Sequence, residues 1–314
     1  MKRKLAFLLM LCFGWSFFLN GCGGTLPKTD DRLQVVCTIF PEYDWARQLT
    51  QGVDNVDLTL LVKNGTDLHS YQPSVRDIAM IARADVFCYV GGVSDTWVNN
   101  VLDTTENRTA QLVSMAEAAD ADEEVLAEGM QAEHEHEHEH DHHDDESDSH
   151  EEPPELDEHV WLSLRRAALA CTAMKEALCK ADPAHEDIYN QNCTDYLQKL
   201  QELDSDFTEM TSQAARDTIV VADRFPFRYL AEDYGLTYYA AFPGCSAETE
   251  ASFETIVFLS EKVKSLHLPC VLVTEGSNSS LAKTILENAG SDGKILTLQS
   301  LQAVSQKEID TGVT

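Results

Sequence analysis

Short apolar, β-branched runs alternate with amphipathic segments in two blocks of this chain, and a long helical stretch separates the blocks. Few architectures accept that order. In the first block, residues 33–39, 56–62 and 86–90 read as strands, with helices over 43–50 and 74–83. After residue 216, strands are expected over 218–222, 237–241, 270–274 and 295–298, with helices over 227–233, 250–266 and 279–288. Parallel neighbours need a crossover between them, so this alternation predicts mostly parallel sheets flanked by helices. Between the blocks, Leu164, Ala168, Cys171, Met174 and Leu178 recur at helical spacing over residues 162–181. Asp182-Pro183 punctuates that helix, because proline is tolerated only in a first turn. A second helix over 184–215 carries the stripe Ile188, Tyr196, Leu200, Leu203, Phe207 and Met210. At ~1.5 Å per residue it spans about 45 Å, the length of two lobes. The expected fold is α/β, two lobes joined by one long rigid backbone helix. The lobes are assigned to residues 22–163 and 216–314, and the connecting helices to 164–215.

The pattern breaks over residues 117–158, which contain 20 acidic residues and neither Lys nor Arg. Within it, EHEHEHEHDHHDDESDSH (133–150) holds seven of the eleven histidines: His134, His136, His138, His140, His142, His143 and His150. Nothing there is apolar enough to pack, so 117–158 is read as a disordered, solvated loop. Neutral imidazole beside carboxylate suits Zn²⁺ and its divalent neighbours. A linker that needed only solubility would not place histidine at nearly every second position, so the run is read as an auxiliary metal-handling loop. The net charge of −31 favours cations over anions as cargo and excludes a nucleic-acid footprint, which needs basic stripes. His134-Glu135-His136-Glu137-His138 satisfies H-E-x-x-H, but that motif requires an ordered helix to set its histidines one turn apart. There is also no G-x-S-x-G and no Gly-rich phosphate loop, so an enzyme is not expected.

At the N-terminus, Lys2, Arg3 and Lys4 precede an apolar run over 5–19 that is short for a bilayer span. Leu19-Asn20-Gly21-Cys22 resembles the bacterial lipobox. Residues 1–21 are therefore read as a lipoprotein signal peptide, with cleavage before Cys22 and a lipid on that cysteine. The mature protein is expected outside the cytoplasmic membrane, held there by its anchor. An ordinary secretory signal with an incidental Cys22 is the alternative. Cys37, Cys88, Cys171, Cys179, Cys193, Cys245 and Cys270 then remain, an odd number without CxxC spacing. They are expected to be free thiols acting as small hydrophobes.

Two histidines outside the loop stand in distinctive settings. His69 lies in Asn64-Gly65-Thr66-Asp67-Leu68-His69-Ser70-Tyr71-Gln72-Pro73-Ser74, a turn directly after a predicted strand, where open α/β sheets place ligands. His159 lies in Asp157-Glu158-His159-Val160-Trp161-Leu162, where the acidic loop meets folded chain. His185 and His267 read as surface residues.

The first of these segments resembles the G-x-x-x-H-x-Y-x-P-[ST] motif of the solute-binding lipoproteins (cluster A-I) that serve zinc and manganese ABC importers. The second, with Ser163, is similar to that family's D-x-H-x-W-L-[SD]. Asp182-Pro183 with Tyr189 and Asn192 resembles its DPxxxxxYxxN helix, and Phe227, Tyr229 and Tyr234-Gly235-Leu236 resemble its F-x-Y-x-x-x-x-Y-G-L segment. The resemblance covers residues 33–314, and the His/acid run sits where zinc-type members carry their loop. It implies a monomeric, non-enzymatic extracytoplasmic receptor that binds Zn²⁺ in the cleft between its lobes and passes it to an ABC permease and its ATPase. A manganese receptor of the same family, or a surface adhesin or metal-buffering lipoprotein without a transport role, is the alternative.

His69 and His159 are carried over as metal ligands. The family's third ligand falls on Arg224, which has no lone pair to give. Asp223 beside it would substitute if the strand end bulges. The fourth position, an Asp in the family, falls on Gln299, with Gln302 nearby, and Glu275 is the proposed substitute. The family also continues beyond Thr314 through a Tyr into a final helix, so the second lobe is expected to be truncated.

Overall fold

The computed structural model describes residues 32–63, 65–105, 107, 109–130, 155–246, 250–302 and 304–311. In chain order the elements are β1 (Leu33–Cys37), α1 (Phe40–Leu49), β2 (Val56–Leu60), α2 (Val75–Ile81), β3 (Val86–Tyr89), α3 (Trp97–Thr105), β4 (Gln111–Ser114) and α4 (Met115–Ala118). There follow α5 (Leu164–Ala181) and α6 (Glu186–Ser212). The second lobe contains β5 (Thr218–Phe225), α7 (Arg228–Asp233), β6 (Thr237–Pro243), α8 (Phe253–Ser265), β7 (Cys270–Thr274), α9 (Ser280–Ala289), β8 (Lys294–Leu298) and α10 (Gln306–Thr311). The strands form two four-stranded sheets, ordered β2-β1-β3-β4 and β6-β5-β7-β8. Every pairing is parallel, as the strand–helix alternation predicted.

One buried cluster runs from β1 and β3 through Met174 and Leu178 of α5 and Tyr189 and Leu200 of α6 to Val221, Phe225 and Leu272 of the second sheet. The connecting helices are thus part of the core of both lobes. Tyr189 Oη donates to Asp182 Oδ2 at 2.8 Å across the proline break between α5 and α6. Asn192 Nδ2 donates to the carbonyls of Leu49 (2.9 Å) and Gln51 (2.8 Å), which α1 leaves without intrahelical partners. Asn192→Ala is expected to lower stability by about 1–2 kcal/mol in urea unfolding, through loss of these two bonds. An unchanged midpoint would show that water replaces the amide.

Part of the stretch read as wholly disordered is ordered. Its ends are paired: Glu124 N–H donates to Glu155 O (2.8 Å), Asp157 N–H donates to Asp122 O (2.9 Å), and Glu123 bridges Leu156 antiparallel. Tyr229 Oη accepts from Asp122 N–H (3.0 Å) and donates to Asp157 O (2.7 Å), fastening both stems to the second lobe. Composition alone misplaced these residues because their order comes from partners on α7. The histidines from His134 to His150 and the acylation candidate Cys22 lie outside the described residues. No helix among the described residues is long and apolar enough to cross a membrane.

Candidate metal centre

The carboxyl ends of both parallel sheets face one cleft. After β2, Asp67 Oδ1 accepts the His69 N–H at 3.0 Å and caps a single 3-10 turn over Leu68–Ser70, with Leu68 fully buried beneath it. The turn holds the His69 ring at the strand end. After β3, Asp95 Oδ2 accepts the N–H groups of Val90 (2.6 Å) and Gly91 (3.2 Å), which closes the loop that carries Ser94. Ser94 Oγ then lies 2.8 Å from His69 Nδ1.

His159 is fully buried, and Asp157 Oδ1 grips it twice, at Nδ1 (2.9 Å) and at the backbone N–H (3.2 Å). Its ring centroid is 5.5 Å from that of His69. Glu158, also fully buried, lies between them in chemical terms. Its carboxylate accepts from Ser94 N–H (3.1 Å) and Ser94 Oγ, and sits 3.3 Å from His69 Nδ1. Glu158 fits only because residue 92 is glycine, since a Cβ there would stand 2.6 Å from the Glu158 Cβ.

With both Nδ1 atoms engaged, the Nε2 atoms of His69 and His159 are buried and have no hydrogen-bond partner. Such orphaned acceptors are costly unless a ligand satisfies them. A carboxylate or hydroxyl on one imidazole nitrogen is the usual support for a metal on the other, because it fixes tautomer and ring orientation. The donor set therefore fits a borderline divalent cation.

Electrostatics points the same way. Burial would raise the Glu158 carboxyl, but the His69 hydrogen bond, the two imidazoles and Ser94 outweigh it and hold it below the usual range. Burial would depress His159, yet Asp157, followed by Glu158 and Glu124, raises it. The cleft is poised to hold positive charge.

The second lobe contributes differently from expectation. The β5–β6 register shifts between Val221 and Arg224, the irregularity anticipated for Asp223. The shift turns Asp223 toward β7, where Oδ2 accepts from Thr274 Oγ1 (2.8 Å) and Thr274 N–H (3.3 Å). Arg224 reaches the first lobe and pairs with Asp67 Oδ2 at 2.6 Å. That guanidinium outweighs the effect of burial and holds the Asp67 carboxyl low. Glu275 accepts the Ser300 N–H at 2.9 Å and the Ser300 hydroxyl, while Ser300 O accepts from Trp161 Nε1 at 2.7 Å. Asp223 and Glu275 therefore brace strand ends, and Gln302 is buried with Oε1 unpartnered.

The group of potential donors that the described residues bring together is instead His69, Glu158 and Cys245, with one ligand atom of each within 4.8 Å of the others. Sequence reasoning passed over Glu158 as the neighbour of a motif histidine, and Cys245 as one thiol among seven. The seven cysteines are otherwise as expected, all free, with Cys37, Cys88, Cys171 and Cys193 buried.

Residues 35–311 match the family model described as zinc-uptake complex component A, periplasmic. The zinc-binding lipoprotein AdcA of Streptococcus pneumoniae (strain ATCC BAA-255 / R6) is 31% identical over 312 residues, covering 99% of this chain and 58% of AdcA. The high-affinity zinc uptake system protein ZnuA of Bacillus subtilis is 30% identical over 312 residues, 98% of this chain and 91% of that protein. The chain thus spans little more than half the length of the AdcA relatives. Among solved structures, the Zn(II)-bound ZnuA-like domain of S. pneumoniae AdcA aligns with a TM-score of 0.67 at 28% identity, covering 90% of this chain and 93% of that domain. The metal-dependent lipoprotein YcdH of B. subtilis aligns with a TM-score of 0.69 at 26% identity, covering 90% and 92%. The family match takes in both lobes together with His69 and His159, and the chain belongs to the ZnuA family, the periplasmic component A of zinc-uptake complexes.

Proposed function

We propose that the chain is the extracytoplasmic zinc receptor of an ABC importer, which captures Zn²⁺ between its lobes and passes it to a membrane permease served by an ATPase. The carrying observation is the pair of buried, unpartnered Nε2 atoms on His69 and His159, each with its Nδ1 already held. These two histidines are the ligands we assign. Asp223 and Glu275 support the cleft from the second lobe through Thr274 and Ser300. Zinc is favoured over manganese because imidazole suits the softer ion, whereas Mn²⁺ prefers carboxylate and water. Nothing in capture or release requires a covalent step, so the role is binding and delivery. The loop histidines gather or buffer metal, and the paired stems root that loop beside the cleft. A lipid on Cys22 keeps the monomeric receptor at the membrane that holds its permease.

The test is calorimetric titration of Zn²⁺ and Mn²⁺ into the chain with its seven loop histidines replaced by asparagine. One tight zinc site per chain, with manganese weaker, is the expected outcome. Absence of any tight site would confine metal handling to the loop and end the receptor reading.

A further inference from the structure

Cys245 follows β6, on the rim opposite His69, and its surroundings are unlike those of a cysteine used as a small hydrophobe. The residue is half-buried at the end of that strand rather than packed in an apolar core. Glu124 Oε1 accepts the Cys245 N–H at 3.1 Å and ties this corner to a stem of the acidic loop. Gly244 lets the chain pass hard against His159, since a Cβ at that position would lie 2.8 Å from His159 Cε1. The sulfur is thereby delivered to within 4.8 Å of a ligand atom of His69 and of Glu158. Donors around a tetrahedral zinc ion stand roughly 3.3–3.8 Å apart, given bonds of about 2.0–2.3 Å, so modest closure brings the sulfur into range. Meanwhile Arg224, at the position where the family resemblance expects a donor, is spent on Asp67. The fully buried His159 Nε2 has no partner in the cleft, and this points independently to a ligand there.

We propose that Cys245 ligates the cleft metal as a thiolate and supplies the donor that Arg224 cannot. The proposal rests on the receptor reading above. On binding, the Sγ–H bond breaks, its proton passes to solvent, and a Zn–S bond forms without any change of oxidation state. A thiolate beside imidazole raises preference for zinc over manganese, because soft sulfur suits the former and not the latter.

Cobalt(II) substitution of the full chain tests this, with the loop histidines replaced by asparagine. The expected result is a near-ultraviolet sulfur-to-cobalt charge-transfer band that saturates at one cobalt per chain. Cys245→Ser should abolish it, and Cys179→Ser on α5 should leave it intact. Cys245→Ser should also weaken zinc by more than the ~10–100-fold that loss of an outer-shell partner costs. Mapping alkylation in the unsubstituted chain gives a second readout that needs no variant: one bound zinc should protect Cys245. One tight cobalt or zinc site without the band, or with Cys245 alkylated equally fast when loaded, overturns the thiolate and leaves the receptor reading standing. No tight site at all removes both.

Discussion

His159→Ala in the loop-substituted chain is expected to lower zinc affinity by well over ~100-fold, a loss above about 2.7 kcal/mol, measured by competition with a chelator of known affinity. The argument is geometric. Asp157 holds Nδ1 and the backbone of His159, so the ring has a single orientation, and its free nitrogen is buried. His69→Ala should behave alike, because Ser94 and Glu158 occupy its Nδ1. Asp157→Asn keeps the ring but weakens its support, and should cost only the ~10–100-fold typical of outer-shell changes. That graded order separates a ligand from a packing residue. If both alanine variants fold, as judged by thermal unfolding of the metal-free protein, and still take up one zinc with unchanged affinity, the site lies elsewhere.

Stability of the metal-free protein is expected to fall as pH rises from about 4.5 to about 8, and Glu42→Gln should flatten the fall. Glu42 is fully buried at the start of α1, where Oε2 accepts the N–H groups of Thr38 (2.6 Å) and Ile39 (3.3 Å). Burial, reinforced by the Asp95 charge, pushes its carboxyl up to about 8 from an ordinary 4.5. Between those values the native state holds a proton that the unfolded chain has released. Glu42 thus contributes stability that is fully present below pH ~4.5 and is lost as pH rises through about 8. The slope is at most about 1.4 kcal/mol per pH unit for this one group. Glutamine keeps an acceptor oxygen for both amides and cannot ionise, so at pH 8 the variant should exceed the parent by about 4 kcal/mol. Asp95 is itself raised to about 7 and would keep some slope in the variant. Parallel stability–pH curves for parent and variant would show that Glu42 ionises freely in the fold.

The strand and helix order was legible because strands buried on both faces of a parallel sheet read as unbroken apolar runs. Val35-Val36-Cys37 and Val271-Leu272-Val273 are such runs, and all six residues are buried. The edge strand β4 escaped notice because Val113 is its one buried residue and Leu112 is 47% exposed. α3 has only Trp97, Val98 and Val101 facing inward, amid Asn and Thr that form helices poorly.

At the candidate metal centre, the two histidines were legible in the sequence because each is framed by short-range chemistry. Asp67 caps the turn of His69, and Asp157 holds the ring of His159 two residues away. The expected compartment and cation bias likewise rest on the lipobox-like segment and the acidic run. Only the tertiary structure brings Glu158, Ser94 and Cys245 beside His69. They come from different loops, and none of them occupies a fixed position of the sequence motifs. They meet because parallel strands all deliver their carboxyl ends to one side, and because the α5–α6 pair holds the two sheets facing each other. Asp223 and Glu275 lie outside that group, their carboxylates accepting hydrogen bonds from Thr274 and Ser300.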